Sequence, residues 1–131
     1  MTRFSTQKYT LQNIKNKYIH LTNSSINKHA ANLTHDKNVV GVGSKWTLAK
    51  LREYFKQIDI DFNKIFKEIE LVVILTLLSV CQDVPAQGTQ NCFEFFGFDI
   101  LIDSNLKPWL IEINGPPALA IDCDVDRKVK P

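Results

Sequence analysis

The chain has 131 residues, which is the size of a single domain. Its 44% hydrophobic and 23% charged residues lie close to globular averages, which excludes disordered, collagen-like and coiled-coil proteins. The three cysteines are an odd number without C-x-x-C spacing, which favours reduced thiols over a disulfide framework or zinc site. The N-terminus lacks a secretory signal, and the longest apolar run, Leu71 to Leu78, is too short to span a membrane. We therefore predict a soluble cytosolic domain with no membrane partner.

The charges are distributed unevenly along the chain. The net charge is only +2, but residues 1–50 hold eight Lys and Arg against one acidic residue, Asp36, while residues 51–131 hold eight against thirteen. The isoelectric point near 8.4 lies below the value of about 9 that is typical of nucleic-acid-binding domains. We therefore predict no nucleic-acid partner. The basic first part is either a solvated surface or a face for an acidic polypeptide.

The first third of the chain predicts short strands and a long irregular segment. Residues 1–19 alternate loosely, which indicates a strand, a polar loop and a second strand at Lys17–Ile19. From His20 to Ser44 the chain is rich in Asn, Ser, Thr, Lys and Gly. An irregular stretch of this length inside a compact domain is usually either functional or disordered.

Two helices are predicted in the middle of the chain. The first has apolar residues at helical spacing, with Ser44 or Thr47 as its N-cap. The second begins after Asp61, which is a favourable capping residue, and its second half is apolar on all sides. We therefore predict that both helices contribute to a core and that the second half of the second helix is buried. The apolar residues of the first helix are Leu48, Leu51, Phe55 and Ile58.

A hairpin is predicted near the C-terminus, after a turn-like segment at Asp83–Gln90. Two apolar runs, Cys92–Asp103 and Pro108–Asn114, are separated by Ser104–Leu106, which is typical of antiparallel strands joined by a turn. The loop at Gly115–Pro117 ends the second strand, and we predict a polar tail after it. Strands, then helices, then a hairpin indicate the α+β class.

Polar residues stand in this hairpin where burial is expected. Its strands should be among the most buried in the domain, and a lone buried carboxylate is costly unless it is paired or binds a metal. Glu112 and Asn114 point to the same face because side chains alternate along a strand. With a turn centred on Ser104 and Asn105, Asp99 falls opposite Leu110 and joins them on that face. A bulge or an odd-length loop would move Asp99 to the other face.

The predicted cluster consists of two carboxylates and one amide on a rigid sheet. Magnesium prefers one or two carboxylates and fills its other positions with water and substrate phosphates. Zinc and iron are disfavoured because no His or Cys converges on the cluster. The alternative is an acid pair that is neutralised by buried Lys or Arg side chains.

Two separate stretches carry a family resemblance. The first is CFEFFGFDILID at residues 92–103, followed by NLKPWLIEIN at residues 105–114. The second is YIHLTN at residues 18–23, with Asn27-Lys28 behind it, and Lys45-Trp46 and the two helices follow. In this order, the stretches resemble the C-terminal and H-L-T-N signatures of the tubulin tyrosine ligase-like family.

The resemblance implies a fold and a set of site residues. It implies the C-terminal part of an ATP-grasp fold over residues 1–131, with an antiparallel hairpin that carries the metal site and packs with two helices. The upstream nucleotide-binding part, with the lysines that reach ATP, is then expected to lie outside this chain. Taken without the family, His20 more often packs in a core and Asn23 more often stabilises a turn. By position, the magnesium ligands are Asp99, Glu112 and Asn114, and the active-site edge is His20, Thr22 and Asn23.

The implied activity, in the polyglutamylase branch of the family, is ATP-dependent ligation of glutamate to glutamate side chains of tubulin tails. The implied cofactors are ATP and Mg²⁺, and the partners are free glutamate and tubulin or microtubules. The implied location is the cytoplasm and cytoskeleton, with the cilium or basal body as further sites. A chain that holds half of an ATP site is expected to be inactive by itself. The alternatives are a catalytically dead microtubule-binding module and a tubulin tyrosine or glycine ligase.

Overall fold

The computed structural model describes residues 1–27, 29–30, 44–84, 91–117, 119–121 and 124–130. The chain divides into two compact units, one formed by Met1–Ile60 with Ala120–Pro131 and the other by Asp61–Leu119. Each unit combines helical segments with an antiparallel pair of strands, so the predicted α+β class is confirmed. Within these ranges, none of the helices has the length and apolar character needed to cross a membrane.

A short strand pair lies at the centre of the first unit. Strand β1 (Thr2–Arg3) pairs antiparallel with β2 (Lys45–Trp46), and Thr2 lies opposite Trp46. The Trp46 side chain is buried, with the ring of Phe4 centred 4.6 Å away and the ring of Tyr54 5.4 Å away. These aromatic contacts form the core that holds the strand pair together.

Helix α1 (Lys17–His20) occupies the position of the predicted second strand, so that prediction is wrong. The side chain of Asn16 accepts a hydrogen bond from Tyr18 N at 3.0 Å, and this N-cap favours a helical turn over an extended chain. A second single-turn helix, α2 (Ser24–Asn27), lies at the start of the segment predicted to be irregular. Most of the remaining segment, residues 31–43, lies outside the described residues.

Helix α3 (Leu48–Gln57) confirms the first predicted helix and one of its two predicted caps. The hydroxyl of Thr47 accepts a hydrogen bond from Lys50 N at 3.2 Å, and Leu51 and Phe55 are buried. Helix α5 (Asp124–Val129) lies within the predicted polar tail, for which the sequence analysis specified no secondary structure. Acidic residues in its first turn and basic residues in its last favour a helix through the helix dipole.

Helix α4 (Phe62–Val80) begins where the sequence predicts, because Asp61 accepts hydrogen bonds from the first turn at 2.9 and 3.2 Å. Phe62 and Ile65 are buried, but the predicted burial of the second half is wrong. Within its unit the helix packs against one strand of a two-stranded hairpin, which can cover only one side of it. The following apolar side chains of this half are 40 to 57% exposed: Leu71, Ile74, Leu75, Leu77, Leu78 and Val80.

The hairpin consists of β3 (Gly97–Ile102) and β4 (Pro108–Asn114). Strand β4 has the predicted bounds, but β3 is shorter than the predicted run Cys92–Asp103, since residues 92–96 and residue 103 are not in a strand. Every residue of β4 after Pro108 is exposed, so the prediction that these strands are among the most buried is wrong. A two-stranded hairpin with one helix against it leaves its other face uncovered.

A 3₁₀ turn at Cys81–Asp83 follows α4, and most of the predicted turn segment, residues 85–90, lies outside the described residues. Cys81 and Cys92 are free and exposed, as expected for reduced thiols. Cys123 also lies outside the described residues.

A network of hydrogen bonds on Asp103 closes the hairpin turn. One carboxylate oxygen accepts from the backbone N–H groups of Asn105 at 2.8 Å and Lys107 at 3.0 Å. The other accepts from the indole Nε1 of Trp109 at 3.0 Å, and the Lys107 ammonium lies 3.9 Å from the centre of that ring. Leu106 has a φ of 66°, which the three-residue turn requires.

These hydrogen bonds predict acid sensitivity of the turn. The bond from the Trp109 indole, followed by the bond from the Lys107 backbone, lowers the pKa of the Asp103 carboxyl. Because the folded pKa is depressed, the stabilisation is present above the unfolded value of about 3.9 and is lost as the pH falls through the folded pKa. We expect the NMR signal of the Trp109 indole N–H to shift as the pH is lowered below about 4.

The variant Asp103→Asn tests this pH dependence, because its side chain keeps an acceptor but does not titrate. Its Trp109 signal should stay nearly constant over the same acid range, while the control Asp83→Asn should titrate like the wild type. An identical titration in Asp103→Asn and the wild type would contradict the prediction.

Candidate functional site

The register of the hairpin decides which face each predicted metal ligand occupies. Asp99 lies directly opposite Glu112, so the predicted pairing of Asp99 with Leu110 is wrong. Two differences from the predicted hairpin produce this register. The turn has three residues rather than two, and a bulge opposite the Asp99–Ile100 step leaves Ile111 without a partner. Each difference alone shifts the register by one residue and would move Asp99 to the opposite face, but the two shifts together return it to the predicted face. Asp99 and Glu112 therefore share one face.

Asn114 lies on the same face as these two carboxylates. It is two residues from Glu112 on β4, and its Nδ2 donates a hydrogen bond to Glu112 Oε1 at 3.3 Å. Asp99 is half-buried, whereas Glu112 and Asn114 are exposed to solvent. The three predicted magnesium ligands thus stand together on an accessible face of the hairpin.

The chemistry of these donors fits a hard divalent cation. Directly opposed residues have Cβ atoms about 5 Å apart, and like charges at that distance destabilise a sheet unless a cation neutralises them. Within the described residues, no Lys or Arg forms an ion pair with Asp99 or Glu112, so the alternative of an acid pair neutralised by basic side chains finds no support there. Nor do three His, Cys, Asp or Glu side chains cluster in the described ranges, so a metal here would rely on two carboxylates, the amide and ligands from outside the protein.

Gly97 contributes to this face in a way that the sequence analysis missed. It pairs with Asn114, and a Cβ on Gly97 would lie only 3.0 Å from Cβ of Pro117. The loop after β4, with its cis peptide bond between Gly115 and Pro116, therefore folds closely over the start of β3. A glycine within a strand pattern often marks such a close approach and was the available signal.

The residues predicted at the active-site edge belong to the first unit. His20 ends α1, its ring lies 5.4 Å from the ring of Tyr9 in an edge-on arrangement, and its Nε2 is buried without a described hydrogen-bond partner. Thr22 is half-buried and Asn23 is exposed. The backbone carbonyl of Asn23 accepts from Ile26 N at 3.1 Å, so Asn23 starts the turn of α2. The six predicted site residues thus fall into two groups, one in each unit.

Asn27 is a second residue whose importance the sequence analysis missed. Its side chain is fully buried, and its amide group donates to the backbone carbonyls of Phe4 and Leu21. In the sequence, Asn27 stands only as part of the stretch behind the H-L-T-N signature, and Lys28 lies outside the described residues. No local pattern distinguishes a buried asparagine from an exposed one, because the contact of Asn27 with Phe4, 23 residues away, depends on tertiary packing.

The fold and this face define a class: an α+β protein that presents two opposed carboxylates and an amide on the exposed face of a hairpin. Comparison with known proteins specifies the class further. The chain matches the tubulin-tyrosine ligase family over residues 1–131. The chain belongs to that family.

Relatives of the chain carry names that state an activity. The chain is 51% identical over 130 residues to the probable tubulin polyglutamylase TTLL2 of Homo sapiens. This alignment covers 99% of this chain and 22% of the relative. It is 38% identical over 142 residues to the tubulin polyglutamylase TTLL5 of Homo sapiens, covering 99% of this chain and 11% of the relative. It is 39% identical over 132 residues to the probable alpha-tubulin polyglutamylase Ttll1 of Tetrahymena thermophila, and this alignment covers 98% of this chain and 30% of the relative. The chain therefore spans less than a third of the length of each.

Proposed function

We propose that the protein carrying this chain is an ATP-dependent ligase that attaches glutamate to glutamate side chains of tubulin tails. Membership of the family and the names of the relatives support tubulin modification. The observation that carries the proposal is the direct opposition of Asp99 and Glu112, with Asn114 on the same face. This arrangement suits the metal-assisted phosphoryl transfer that such a ligation requires.

In this proposal, residues 1–131 form the C-terminal portion of an ATP-grasp domain, and the nucleotide-binding lysines are supplied from outside this chain. The chain by itself is then inactive. Its spanning only 22% of the TTLL2 relative supports this division of the site. The partners are free glutamate and tubulin or microtubules, and the protein acts in the cytoplasm and cytoskeleton, with the cilium or basal body as further sites.

The proposed reaction proceeds in two steps. The carboxylate of a tail glutamate takes the terminal phosphoryl group of ATP, which forms an acyl phosphate and releases ADP. The amine of free glutamate then attacks the acyl carbon, forms an amide bond and expels inorganic phosphate. A bound Mg²⁺ would neutralise charge on the phosphate oxygens, which is the main electrostatic demand of such a transfer.

The residues of this chain have defined tasks in that scheme. Asp99 and Glu112 would supply the two carboxylate ligands and Asn114 the amide oxygen. The hydrogen bond from Asn114 to Glu112 brings these two exposed side chains together on one face of the hairpin. Because Gly97 has no side chain, Pro117 in the loop after β4 can approach the edge of this face closely.

The charge distribution supports an acidic polypeptide as substrate. Residues 1–50 carry eight Lys and Arg against one acidic residue. A basic surface attracts a glutamate-rich tail and raises the rate of association, an effect that salt should weaken.

An incorporation assay tests the proposed function. The longest natural form of the protein is incubated with tubulin, ATP and Mg²⁺, with labelled glutamate, glycine or tyrosine in parallel. We expect label from glutamate only, and no label with the 131-residue chain alone. Incorporation of glycine or tyrosine instead would overturn the choice of amino acid. Co-sedimentation with microtubules without any incorporation would favour a catalytically dead binding module.

A further inference from the structure

Asn27 is an asparagine with no exposed surface at the end of α2. Burying a polar group costs free energy unless it forms hydrogen bonds. The Nδ2 of Asn27 has acceptors, whereas its Oδ1 is buried without a hydrogen-bond partner among the described residues, so the two bonds of Nδ2 carry the role of this side chain. Its backbone N–H donates to the carbonyl of Asn23 at 2.9 Å. The short helix α2 thereby connects Asn27 directly to the end of the H-L-T-N stretch.

The side-chain amide of Asn27 joins two distant segments. Its Nδ2 donates to the carbonyl of Phe4 at 3.1 Å and to the carbonyl of Leu21 at 3.3 Å. Phe4 directly follows β1 and is held to Ser44 by its own backbone N–H at 2.7 Å. Leu21 lies between His20 and Thr22, so one amide group fixes the distance between the strand end and the H-L-T-N stretch.

We propose that Asn27 is a positioning residue that sets the backbone of His20–Asn23 through its two hydrogen bonds. As a contribution to catalysis, this inference rests on the proposed ligase function, in which that stretch lines the active-site edge. Asn27 acts through the Leu21 carbonyl and need not touch the substrate. An amide suits the task because one nitrogen carries two donors and can satisfy two carbonyls at once.

Removal of the donors should release this segment. In Asn27→Asp the nitrogen is replaced by an acceptor of nearly the same size, which faces two carbonyl oxygens and repels them. In Asn27→Ala both carbonyls lose their partner without a new charge. A misplacement of about 1 Å in an active-site segment can cost roughly a hundredfold in rate.

Hydrogen exchange measured by mass spectrometry tests the positioning directly. In the longest natural form of the protein, both Asn27 variants should show faster amide exchange in peptides covering residues 17–27, with unchanged exchange in α4. The matched control is Asn13→Asp, which makes the same chemical change at an exposed site in the same unit. Unchanged exchange in residues 17–27 of folded Asn27→Ala and Asn27→Asp would overturn the inference.

Kinetics separate positioning from simple stability. Each variant is assayed at least about 15 °C below its own unfolding midpoint, where nearly all molecules are folded. We expect kcat to fall about tenfold to a hundredfold while the KM for ATP changes less than about threefold. Wild-type kcat in both folded variants would overturn the role of Asn27 and leave the ligase function intact. If the wild-type protein ligates no amino acid, the proposed function fails, and the exchange experiment alone decides whether Asn27 positions the stretch.

Discussion

Glu112→Gln should lower the ligation rate of the longest natural form of the protein by at least about a hundredfold while leaving its stability nearly unchanged. A bound metal contributes several kcal/mol of charge stabilisation, and about 1.4 kcal/mol corresponds to a factor of ten in rate. Glutamine removes one of the two opposed charges and keeps the oxygen that accepts from Asn114. Because Glu112 is exposed, the free energy of unfolding should change by less than about 0.5 kcal/mol.

The measurement for Glu112 is the initial rate of labelled glutamate incorporation at saturating tubulin, together with urea unfolding of each variant. The matched control is Glu70→Gln, which makes the same change on an exposed position of α4. Glu70→Gln should keep the wild-type rate. Ligation at the wild-type rate by Glu112→Gln would exclude Glu112 as a metal ligand.

Asp126→Asn should destabilise the first unit by about 3–5 kcal/mol, which is the usual cost of removing one partner from a buried ion pair. Asp126 has no exposed surface, and the Lys45 ammonium lies 2.6 and 2.7 Å from its two carboxylate oxygens. Lys130, which directly follows α5, lies 3.9 Å from one of them. The pair joins α5 to β2, so its loss leaves a largely buried ammonium without its counter-charge.

Urea unfolding of single and double variants measures this coupling. Lys45→Met with Asp126→Leu should lose less stability than Asp126→Asn alone, because the double variant leaves no uncompensated charge. The control Lys128→Met removes an exposed charge from the same helix and should change stability by less than about 0.5 kcal/mol. A loss below about 1 kcal/mol in Asp126→Asn would show that Lys45 finds water or another partner when α5 shifts.

The starts of the long helices were predictable because capping is local. Thr47 and Asp61 each accept hydrogen bonds from N–H groups two or three residues ahead, a contact that depends only on nearby sequence. The error at α1 also concerns a local feature of the chain. A single turn such as Lys17–His20 has too few residues for periodicity to distinguish helix from strand, and its cap on Asn16 decides the outcome.

Burial of the apolar segments was not predictable from composition. The second half of α4 and most of β4 are apolar in sequence but exposed in the structure. Removing an apolar surface from water is favourable, but burial also requires a second surface that covers the first. In the second unit, one helix and a two-stranded hairpin provide only part of that cover.

The sequence by itself determined the α+β class, the family and the residues on the hairpin, because motifs, capping and strand alternation are encoded over a few neighbouring positions. Only the tertiary structure decided which carboxylates face each other, since turn length and a bulge each shift the register by one residue. It likewise decided the contact of Asn27 with Phe4, 23 residues away along the chain, and that of Asp126 with Lys45, 81 residues away. Contacts of that range depend on packing that no local pattern specifies.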